Sequence, residues 1–290
     1  MMYNATIINQ EVSRMDIAIV GLGLMGGSLA LSLKKLDFIN DVVGCDHNEY
    51  HTQEALKLGL VDKIVEFDDV KNYDVIFLAI PVNGIINALS NLTDVSKNVT
   101  IIDLGSTKEL IVSKVPQKIR KNFVASHPMT GTENFGPTAA VENLYTNKVV
   151  VLCDLEDSGE LQRDISKKIF KSLKMQKYFM SSHEHDRHAA FISHMPHAIS
   201  FSIANTVMKQ EQKHNILALA AGGFRSMSRL AKSSPDMWED IFTQNKNNLI
   251  EAIELFEDEL SKLKQDIINE NFKSVNKTMQ NANKLQEIFN

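Results

Sequence analysis

Short apolar runs alternate with amphipathic stretches through the first half of the chain. The apolar runs cover residues 17–20, 42–45, 75–80, 99–102, 123–125 and 149–152. Segments with helical periodicity lie between them, for example residues 26–36 and 53–58. Continuous apolar strands that alternate with helices are typical of a parallel sheet covered on both faces. The pattern therefore predicts an α/β fold whose N-terminal part is a doubly wound, Rossmann-type parallel sheet.

The pattern changes at about Ser181, and no later segment predicts a strand. Ser181 and Glu184 have the spacing of a capping box and predict the start of a helix. Pro196 is expected to interrupt that helix, because proline removes a backbone donor and clashes with the preceding turn. Ser234 and Pro235 have the pattern of an N-cap followed by proline at the first helical position.

Helical spacing of apolar residues resumes at Trp238 and continues to about Ile268, after a break at Gly222 and Gly223. A further helix is expected from there to the C-terminus. Amphipathic helices with this much apolar surface tend to pack on partners, so this half is predicted to be an all-α dimerisation domain. The expected divisions are a loose extension over residues 1–14, a Rossmann domain over 15–181, and a helical substrate and dimerisation domain over 182–290.

Composition narrows the class of protein. Of the 290 residues, 43% are hydrophobic and 23% are charged, which is ordinary for a globular enzyme. The net charge of -5 disfavours nucleic acid or an anionic membrane as the main partner. Cys45 and Cys153 each end an apolar run, which predicts buried thiols in a reducing compartment. No apolar run approaches the ~18 residues of a membrane span, and residues 1–14 lack the features of a signal peptide. A cytoplasmic protein is expected.

A glycine-rich turn follows the first predicted strand and opens a helix, which is the context that dinucleotide binding requires. The turn consists of Gly21, Leu22, Gly23, Leu24, Met25 and Gly26. Gly21 would allow the tight turn, Gly23 the approach of a pyrophosphate, and Gly26 close packing of helix on strand. The diphosphate would lie at the helix N-terminus. The alternative is a strand–helix turn that binds nothing.

Two further positions extend the predicted cofactor site. Asp46 ends the second strand, where a carboxylate accepts hydrogen bonds from the ribose hydroxyls and repels a 2′-phosphate. This favours NAD over NADP, although His47 would weaken the exclusion slightly. Ile80 and Pro81 close the third predicted strand and are expected to border the nicotinamide, with an ordinary strand terminator as the alternative for Pro81.

Candidate chemistry follows the next two predicted strands. A dehydrogenase that acts on an alcohol needs a group that takes or polarises the hydroxyl hydrogen. Ser106 and His127 both follow strand ends and are expected at the same sheet edge as the glycine-rich turn. A neutral His127 could accept the hydrogen bond of a hydroxyl, and Ser106 could orient it. The alternatives are structural, since Ser106 and Glu109 have capping-box spacing and His127 precedes Pro128 in a turn-like dipeptide.

Five histidines lie between residues 182 and 197, namely His183, His185, His188, His194 and His197. Some spacings would suit a metal, but most of these side chains should point in different directions around a helix. Hydride transfer needs no metal either, so no metal site is predicted. His194 and His197 flank Pro196 and are expected to face an interdomain cleft. Arg225 and Arg229 could bind a carboxylate there, or could belong to a solvated helix face.

Taken together and in order, five segments resemble the prephenate dehydrogenase family. They are residues 21–30, 103–108, 127–133, 193–198 and 222–229, so the resemblance spans the chain from Asp16 onward. It implies the oxidative decarboxylation of prephenate with NAD to 4-hydroxyphenylpyruvate, carbon dioxide and NADH, in tyrosine biosynthesis. Arogenate dehydrogenases share most of the pattern, so an arogenate or dual-specificity cyclohexadienyl dehydrogenase remains the alternative.

The resemblance also implies roles for individual residues. His127 would hydrogen-bond the ring hydroxyl, and Ser106 would hold both groups in line. Arg229 would bind the ring carboxylate and His197 the pyruvyl side chain. The other pocket residues implied are Thr132, Glu133, Ser193, His194, Gly222 and Trp238. A homodimer is implied, and tyrosine is a candidate inhibitor at the active site because it shares the phenol ring of the product.

Two other classes remain as rivals. Dehydrogenases of the hydroxyisobutyrate or 6-phosphogluconate type have a similar glycine-rich start, but they use a lysine base where this chain has His194 and His197. A non-catalytic NAD-sensing protein could use the same fold. Such a protein would have little reason to keep His127, Ser106 and Arg229 together.

Overall fold

A computed structural model describes residues 14–289, and an eight-stranded sheet dominates the N-terminal part. The strands are β1 (Met15–Val20), β2 (Ile39–Cys45), β3 (Lys63–Ile64), β4 (Val75–Leu78), β5 (Thr100–Asp103), β6 (Phe123–Pro128), β7 (Val149–Cys153) and β8 (Gln176–Met180). Their order is β3-β2-β1-β4-β5-β6-β7-β8, and every neighbouring pair is parallel except β6 and β7. The strand order reverses between β1 and β4, which creates the crevice where such sheets bind ligands.

Helices flank the sheet, and its central strands are buried on both faces. The helices of this part are α1 (Leu24–Leu33), α2 (Glu49–Lys57), α3 (Val82–Asn91), α4 (Glu109–Ser113) and α5 (Glu160–Ser172). Ile17 and Ile19 belong to one buried apolar cluster, whereas Ala18 and Ile76 belong to another. Because successive side chains of a strand point to opposite faces, this burial requires continuous apolar runs. The predicted α/β fold class is confirmed.

Helices make up the C-terminal part, from residue 182 to the end of the described chain. They are α6 (Ser182–Ala189), α7 (Met195–Met208), α8 (Lys213–Ala218), α9 (Gly222–Ser228), α10 (Pro235–Gln244), α11 (Lys246–Ile268), α12 (Phe272–Asn283) and α13 (Leu285–Phe289). The predicted capping box of Ser181 and Glu184 is present, and the Ser234 side chain accepts a hydrogen bond from the backbone of Met237. Between residues 14 and 289, no helix combines the length and apolarity needed to cross a membrane.

The prediction that Pro196 interrupts the helix is wrong, because the helix changes its hydrogen-bond pattern there but does not end. The chain stays helical from α6 into α7, through one π-helical turn over Ala190–His194. Pro196 is the second residue of α7 and directly follows this turn, so its missing backbone donor falls where the hydrogen-bond pattern changes from π to α. The π-helical turn absorbs the irregularity instead, and such turns are frequent at functional sites.

The sheet also contains features that the apolar pattern did not predict. The short strand β3 and the edge strand β8 were missed, because β8 is largely exposed and lacks a continuous apolar run. Strand β7 runs antiparallel to β6, which no local pattern indicated. Cys45 and Cys153 are buried free thiols, as predicted. The expected N-terminal extension lies outside the described residues, apart from Arg14.

Candidate active site

The glycine-rich turn lies at the carboxyl end of β1 and has the shape that a diphosphate requires. Gly21 has a φ of +97°, and a Cβ there would lie 2.4 Å from the carbonyl oxygen of Ala79. A Cβ on Gly26 would lie 1.8 Å from the carbonyl oxygen of Gly21. Gly23 has open space around its Cβ position. Glycine is therefore required at the two ends of the turn, and the middle stays open to a ligand.

Helix α1 begins within this turn. Gly23 is the N-cap of α1 and offers no capping side chain, so the first N–H groups of the helix have no partner within it. Leu22 and Leu24 bury their side chains in the core, and the Met25 carbonyl accepts a 2.8 Å hydrogen bond from the Tyr145 hydroxyl. The N-terminus of a ten-residue helix with free donors fits a diphosphate.

Asp46 follows β2 and is tied to the same turn. Its carboxylate accepts a 2.8 Å hydrogen bond from the backbone of Leu22 and lies 3.2 Å from Nδ1 of His51. The neighbouring His47 is exposed, with its Nδ1 3.5 Å from the carboxylate. A carboxylate at this place fits the hydroxyls of an adenosine ribose.

Ile80 and Pro81 lie beyond the end of β4, which stops at Leu78 rather than at the predicted Ile80. Pro81 is the N-cap of α3, so it has a structural role in the turn between β4 and this helix. The side chain of Ile80 lies 2.7 Å from where a Cβ of Gly21 would be. The turn after β4 thus borders the glycine-rich turn directly.

His127 lies near the end of β6 and is joined to two residues of α6. Its Nδ1 lies 2.8 Å from Nε2 of His185, and Nδ1 of His185 lies 2.8 Å from Oδ1 of Asp186. All three residues are buried. Burial, and then the proximity of His185, hold the pKa of His127 well below its usual 6.5. The ring of His127 is therefore neutral at physiological pH.

A buried ion pair lies beneath this cluster. The ammonium of Lys108 contacts the carboxylate of Asp103 and donates a 2.8 Å hydrogen bond to the carbonyl of Ser126. Asp103 also accepts hydrogen bonds from the backbone of Ser126 and Gly105, at 3.0 and 3.2 Å. These bonds tie the loop that carries Ser106 to the strand that carries His127. Both residues consequently lie at the sheet edge where they were expected.

The alternative interpretation of Ser106 as a helix cap is wrong. Helix α4 begins at Glu109, and its N-cap residue Lys108 makes no side-chain cap. The carboxylate of Asp186 accepts the backbone hydrogen bonds of Lys108 and Glu109 instead, at 2.7 and 2.9 Å. A residue from α6 thus satisfies the first turn of α4, and the partly exposed Ser106 is left for another role.

His194 presents a buried hydrogen-bond donor without a partner. The side-chain amide of Asn245 donates to the carbonyl of Asp186 at 2.7 Å and to Nδ1 of His194 at 3.0 Å. Burial lowers the pKa of His194 to about 4, so the ring is neutral and carries its hydrogen on Nε2. That Nε2 is buried with no partner among the described residues. An unpaired buried donor costs about 1–3 kcal/mol, so an acceptor atom of a ligand or of a water molecule would stabilise this site.

Trp238 on α10 forms an aromatic wall beside these groups. Its ring stacks on His197, with centroids 3.6 Å apart, and meets the edge of His194 at 5.9 Å. Nδ1 of His197 bonds the carbonyl of Ser193 at 2.9 Å. The π-helical turn and the first turn of α7 therefore carry three of the expected pocket residues to one place.

The remaining expected residues lie nearer the surface. Arg229 pairs with Glu133 at 3.0 Å, which joins the helical part to the loop after β6. Thr132 is exposed and accepts a hydrogen bond from the backbone of Asn134. Gly222 begins α9 and is exposed, with no atom within 4 Å of a Cβ placed there.

Residue-by-residue reasoning missed His185, Asp186 and Asn245. The sequence shows the histidine-rich segment, but its spacing indicates only possible metal ligands or side chains on different faces of a helix. Within residues 14–289, no three histidine, cysteine or acidic side chains gather as a metal site. The usable signal was the capping box at Ser181, since a helix that begins there places residues 182, 185, 186 and 189 on one buried face.

Comparison with known proteins identifies a family for both parts of the chain. Residues 29–178 match the family model of the prephenate dehydrogenase nucleotide-binding domain, and residues 181–281 match that of the prephenate dehydrogenase dimerization domain. The chain is 32% identical over 255 residues to a prephenate dehydrogenase of Bacillus subtilis, which covers 86% of this chain and 69% of that protein.

Two further relatives extend the comparison. A cyclohexadienyl dehydrogenase of Zymomonas mobilis is 31% identical over 261 residues, covering 88% of this chain and 89% of that protein. The crystal structure of prephenate dehydrogenase from A. aeolicus, in complex with hydroxyphenyl propionate and NAD+, superposes with a TM-score of 0.90. That match has 30% identity and covers 97% of this chain and 100% of the other.

Proposed function

The chain belongs to the prephenate dehydrogenase family, and we propose that it converts prephenate and NAD to 4-hydroxyphenylpyruvate, carbon dioxide and NADH. It is an NAD-dependent oxidoreductase with a nucleotide-binding domain of this family. The observation that carries the proposal is the buried, neutral imidazole of His127, placed at the same sheet edge as the glycine-rich turn.

The reaction sets clear demands on the protein. A hydride leaves ring carbon 4 of prephenate, the ring carboxylate leaves as carbon dioxide, and its electron pair completes the aromatic ring. NAD, when bound, supplies the hydride acceptor. The equation balances with no net release of a proton, because the hydroxyl hydrogen of prephenate ends on the phenol of the product. The group that draws this hydrogen during hydride loss must therefore return it.

His127 meets this demand. A neutral ring accepts the hydrogen bond of the hydroxyl and polarises it as the hydride leaves. Because burial holds the pKa of His127 well below 6.5, the ring does not retain the proton. Ser106, three residues beyond β5, orients the hydroxyl toward His127. Alignment by the two residues is the main contribution, because formation of the aromatic ring drives the reaction.

The two carboxylates of prephenate are matched by basic and donor groups around the cleft. Arg229 binds the ring carboxylate, and His197 binds the pyruvyl side chain together with the unpaired Nε2–H of His194. Arg229 is paired with Glu133, so the substrate carboxylate joins or replaces that acceptor on the guanidinium. The other proposed pocket residues are Thr132, Ser193, Gly222 and Trp238.

The proposed cofactor contacts are those of the turn and its borders. They are Gly21, Leu22, Gly23, Leu24, Met25, Gly26, Asp46, Ile80 and Pro81. The open space at Gly23 and the free donors of α1 support the diphosphate position. The carboxylate of Asp46 supports NAD rather than NADP, because it would repel a 2′-phosphate.

Preference between prephenate and arogenate is a separate question. The two differ by a keto or an amino group on the side chain, and the Zymomonas mobilis relative is named for the wider cyclohexadienyl class. We propose prephenate as the preferred substrate, on the strength of the two named prephenate dehydrogenases among the relatives. Values of kcat/KM for the two substrates, measured side by side, decide the preference.

The defining experiment incubates the protein with NAD and either prephenate or arogenate while NADH absorbance is followed. The expected result is NADH formation, with 4-hydroxyphenylpyruvate appearing from prephenate in equal amount. Absence of turnover with both substrates, together with turnover of a 3-hydroxy acid, would reject the proposal in favour of a hydroxyisobutyrate-type enzyme. NAD binding without any turnover would favour a sensing protein.

Domain division and assembly are part of the same proposal. We place the Rossmann domain at 15–181 and the helical substrate and dimerisation domain at 182–290, and we propose a homodimer through the C-terminal helices. Exposed apolar side chains support this; they include Leu219, Leu255, Leu260, Ile267, Ile268, Phe272 and Ile288. Light scattering should give twice the chain mass of 32.6 kDa.

We also propose that tyrosine binds at the active site and inhibits the enzyme competitively with prephenate, because it shares the phenol ring of the product.

A further inference from the structure

We infer that His185 and Asp186 are positioning residues that fix the tautomer of His127 and so aim its Nε2 at the substrate hydroxyl. The inference deepens the proposed function and rests on it. It concerns two residues of α6 that neither the sequence motifs nor the family resemblance singled out. Two short hydrogen bonds run from Asp186 through His185 to His127 and support this inference.

The carboxylate of Asp186 determines which atoms donate and which accept along these two hydrogen bonds. Asp186 accepts the backbone hydrogen bonds of Lys108 and Glu109 at 2.7 and 2.9 Å, so its carboxylate is held in place as an acceptor. A carboxylate has no hydrogen to give, so Nδ1 of His185 must carry the hydrogen of that 2.8 Å bond.

The tautomer of the second ring follows from the first. With its hydrogen on Nδ1, a neutral His185 has Nε2 free as an acceptor. His127 must then donate from its own Nδ1 across the 2.8 Å contact. A neutral His127 that carries its hydrogen on Nδ1 is left with Nε2 as an acceptor. That is the atom a substrate hydroxyl needs, whereas the other tautomer would present a donor and could not draw the hydrogen.

The surroundings hold the two residues of α6 rigidly. The capping box of Ser181 and Glu184 secures the start of the helix, and the backbone of Ser182 donates to Asp154 at 3.1 Å. Asn245 donates to the carbonyl of Asp186 at 2.7 Å. The side chains of His185 and Asp186 are 3% and 2% exposed. Little freedom remains for the His185 ring to turn away from His127.

The arrangement also stabilises charge as the reaction proceeds. When the hydroxyl hydrogen moves toward Nε2 of His127, positive charge develops on that ring. The charge is shared through the hydrogen bond with His185 and faces the Asp186 carboxylate at the end of the chain. Since all three side chains are buried, this attraction is less screened than at the surface. The hydrogen can then return to the phenolic oxygen when the ring becomes aromatic.

Two substitutions of His185 distinguish loss of its hydrogen-bond acceptor from loss of the imidazole ring itself. His185→Gln places an amide oxygen near the former Nε2 and keeps an acceptor for His127. His185→Leu removes the acceptor, and both variants are uncharged. The same pair at His183, which is exposed on the same helix, provides the matched control. The measurements are kcat and KM for prephenate, NAD affinity, and thermal unfolding.

His185→Leu should lower kcat by about 10²–10³-fold, while His185→Gln should retain at least roughly ten times the activity of His185→Leu. NAD affinity should change by less than about threefold in both, since the hydrogen bonds of the His185 side chain go to His127 and Asp186. The His183 variants should match the wild type. Equal kcat values for the two His185 variants, or wild-type kcat in His185→Leu, would overturn the inference.

A spectroscopic test separates this inference from the proposed function. In protein labelled with [15N]histidine, long-range proton–nitrogen correlations report which ring nitrogen carries the hydrogen, and His127→Asn identifies the His127 signals. The wild-type protein without substrate should show the Nδ1–H tautomer at His127, and His185→Leu should shift it toward Nε2–H. An Nε2–H tautomer in the wild type would overturn the inference, whether or not prephenate is turned over.

Discussion

The side-chain amide of Asn83 donates a 2.6 Å hydrogen bond to the carboxylate of Asp240, across the boundary between the sheet and the C-terminal helices. Gln244 donates to the side-chain amide oxygen of Asn83 at 2.7 Å and accepts from the hydroxyl of Thr107 at 2.6 Å. Thr107 follows Ser106, and Asn83 lies two residues after Pro81. These hydrogen bonds therefore join two loops to α10, which carries Trp238. One loop follows β4 and belongs to the proposed cofactor site, and the other follows β5 and carries Ser106.

Removal of Asn83 should loosen this connection. In Asn83→Ala we expect KM for prephenate to rise and kcat to fall, each by about 3–10-fold, because the pocket spans both parts of the molecule. NAD affinity should change little. Asn87→Ala, on an exposed position of the same helix, is the control. Steady-state kinetics with prephenate as the varied substrate test the expectation, and wild-type kinetics in Asn83→Ala would refute it.

His127 should be essential for turnover and dispensable for cofactor binding. His127→Asn removes the acceptor at Nε2, so kcat should fall by about 10²–10⁴-fold. The glycine-rich turn and Asp46 are untouched, so the dissociation constant for NAD should stay nearly constant. Cofactor titration followed by single-turnover kinetics provides both numbers. Retained turnover would remove His127 from the mechanism.

Arg229 should act mainly on substrate binding. Loss of a charge-assisted carboxylate contact is worth about 1.5–3 kcal/mol, so Arg229→Ala should raise KM by about 10–100-fold and change kcat far less. Arg225→Ala is a matched control on the preceding turn, because Arg225 is exposed and bonds only the nearby Ala220 carbonyl among the described residues. A fall in kcat with unchanged KM would contradict the assigned role.

The buried pair of Lys108 and Asp103 should matter for stability. Lys108→Met leaves the Asp103 carboxylate buried without its partner, which should destabilise the fold by about 3–5 kcal/mol. Burial already raises the pKa of Asp103, opposed mainly by Lys108. Without Lys108 the folded state should bind a proton more readily, so the deficit should shrink as pH falls. Denaturant unfolding at several pH values tests this, with exposed Lys114→Met as the control.

The buried histidines predict how stability depends on pH. Burial lowers the pKa of His127 and His197 and brings that of His194 to about 4. The unfolded chain then binds more protons than the folded one below about pH 6.5, so unfolding becomes easier as the pH falls from there toward 4. The residues facing these rings are His185, Asp186, Lys108 and Arg229.

Thermal unfolding between pH 7 and pH 4 measures this effect. The wild type should lose stability steadily over that range, and His194→Gln should lose less because one titrating ring is gone. Carboxylates that pair in the folded state act in the same direction, but mainly below about pH 5, since their ordinary pKa values lie near 4. Unchanged stability down to pH 5 would contradict the buried neutral rings.

The sequence alone determined the α/β class, the glycine-rich turn and the positions of Ser106 and His127, because these depend on local order along the chain. Apolar runs produce buried strands, and residues just beyond parallel strands collect at one edge. The capping box at Ser181 was likewise local, since its two partners lie three residues apart. The resemblance added roles for Arg229 and His197.

Tertiary structure alone decided the rest, because it depends on groups that are distant along the chain. Asp186 meets Lys108 across 78 positions, and His127 meets His185 across 58. A carboxylate on one helix thereby caps another and, we infer, sets the tautomer of a histidine on a strand. No local pattern encodes such a contact, since its partners become neighbours only when the helical half packs on the sheet edge.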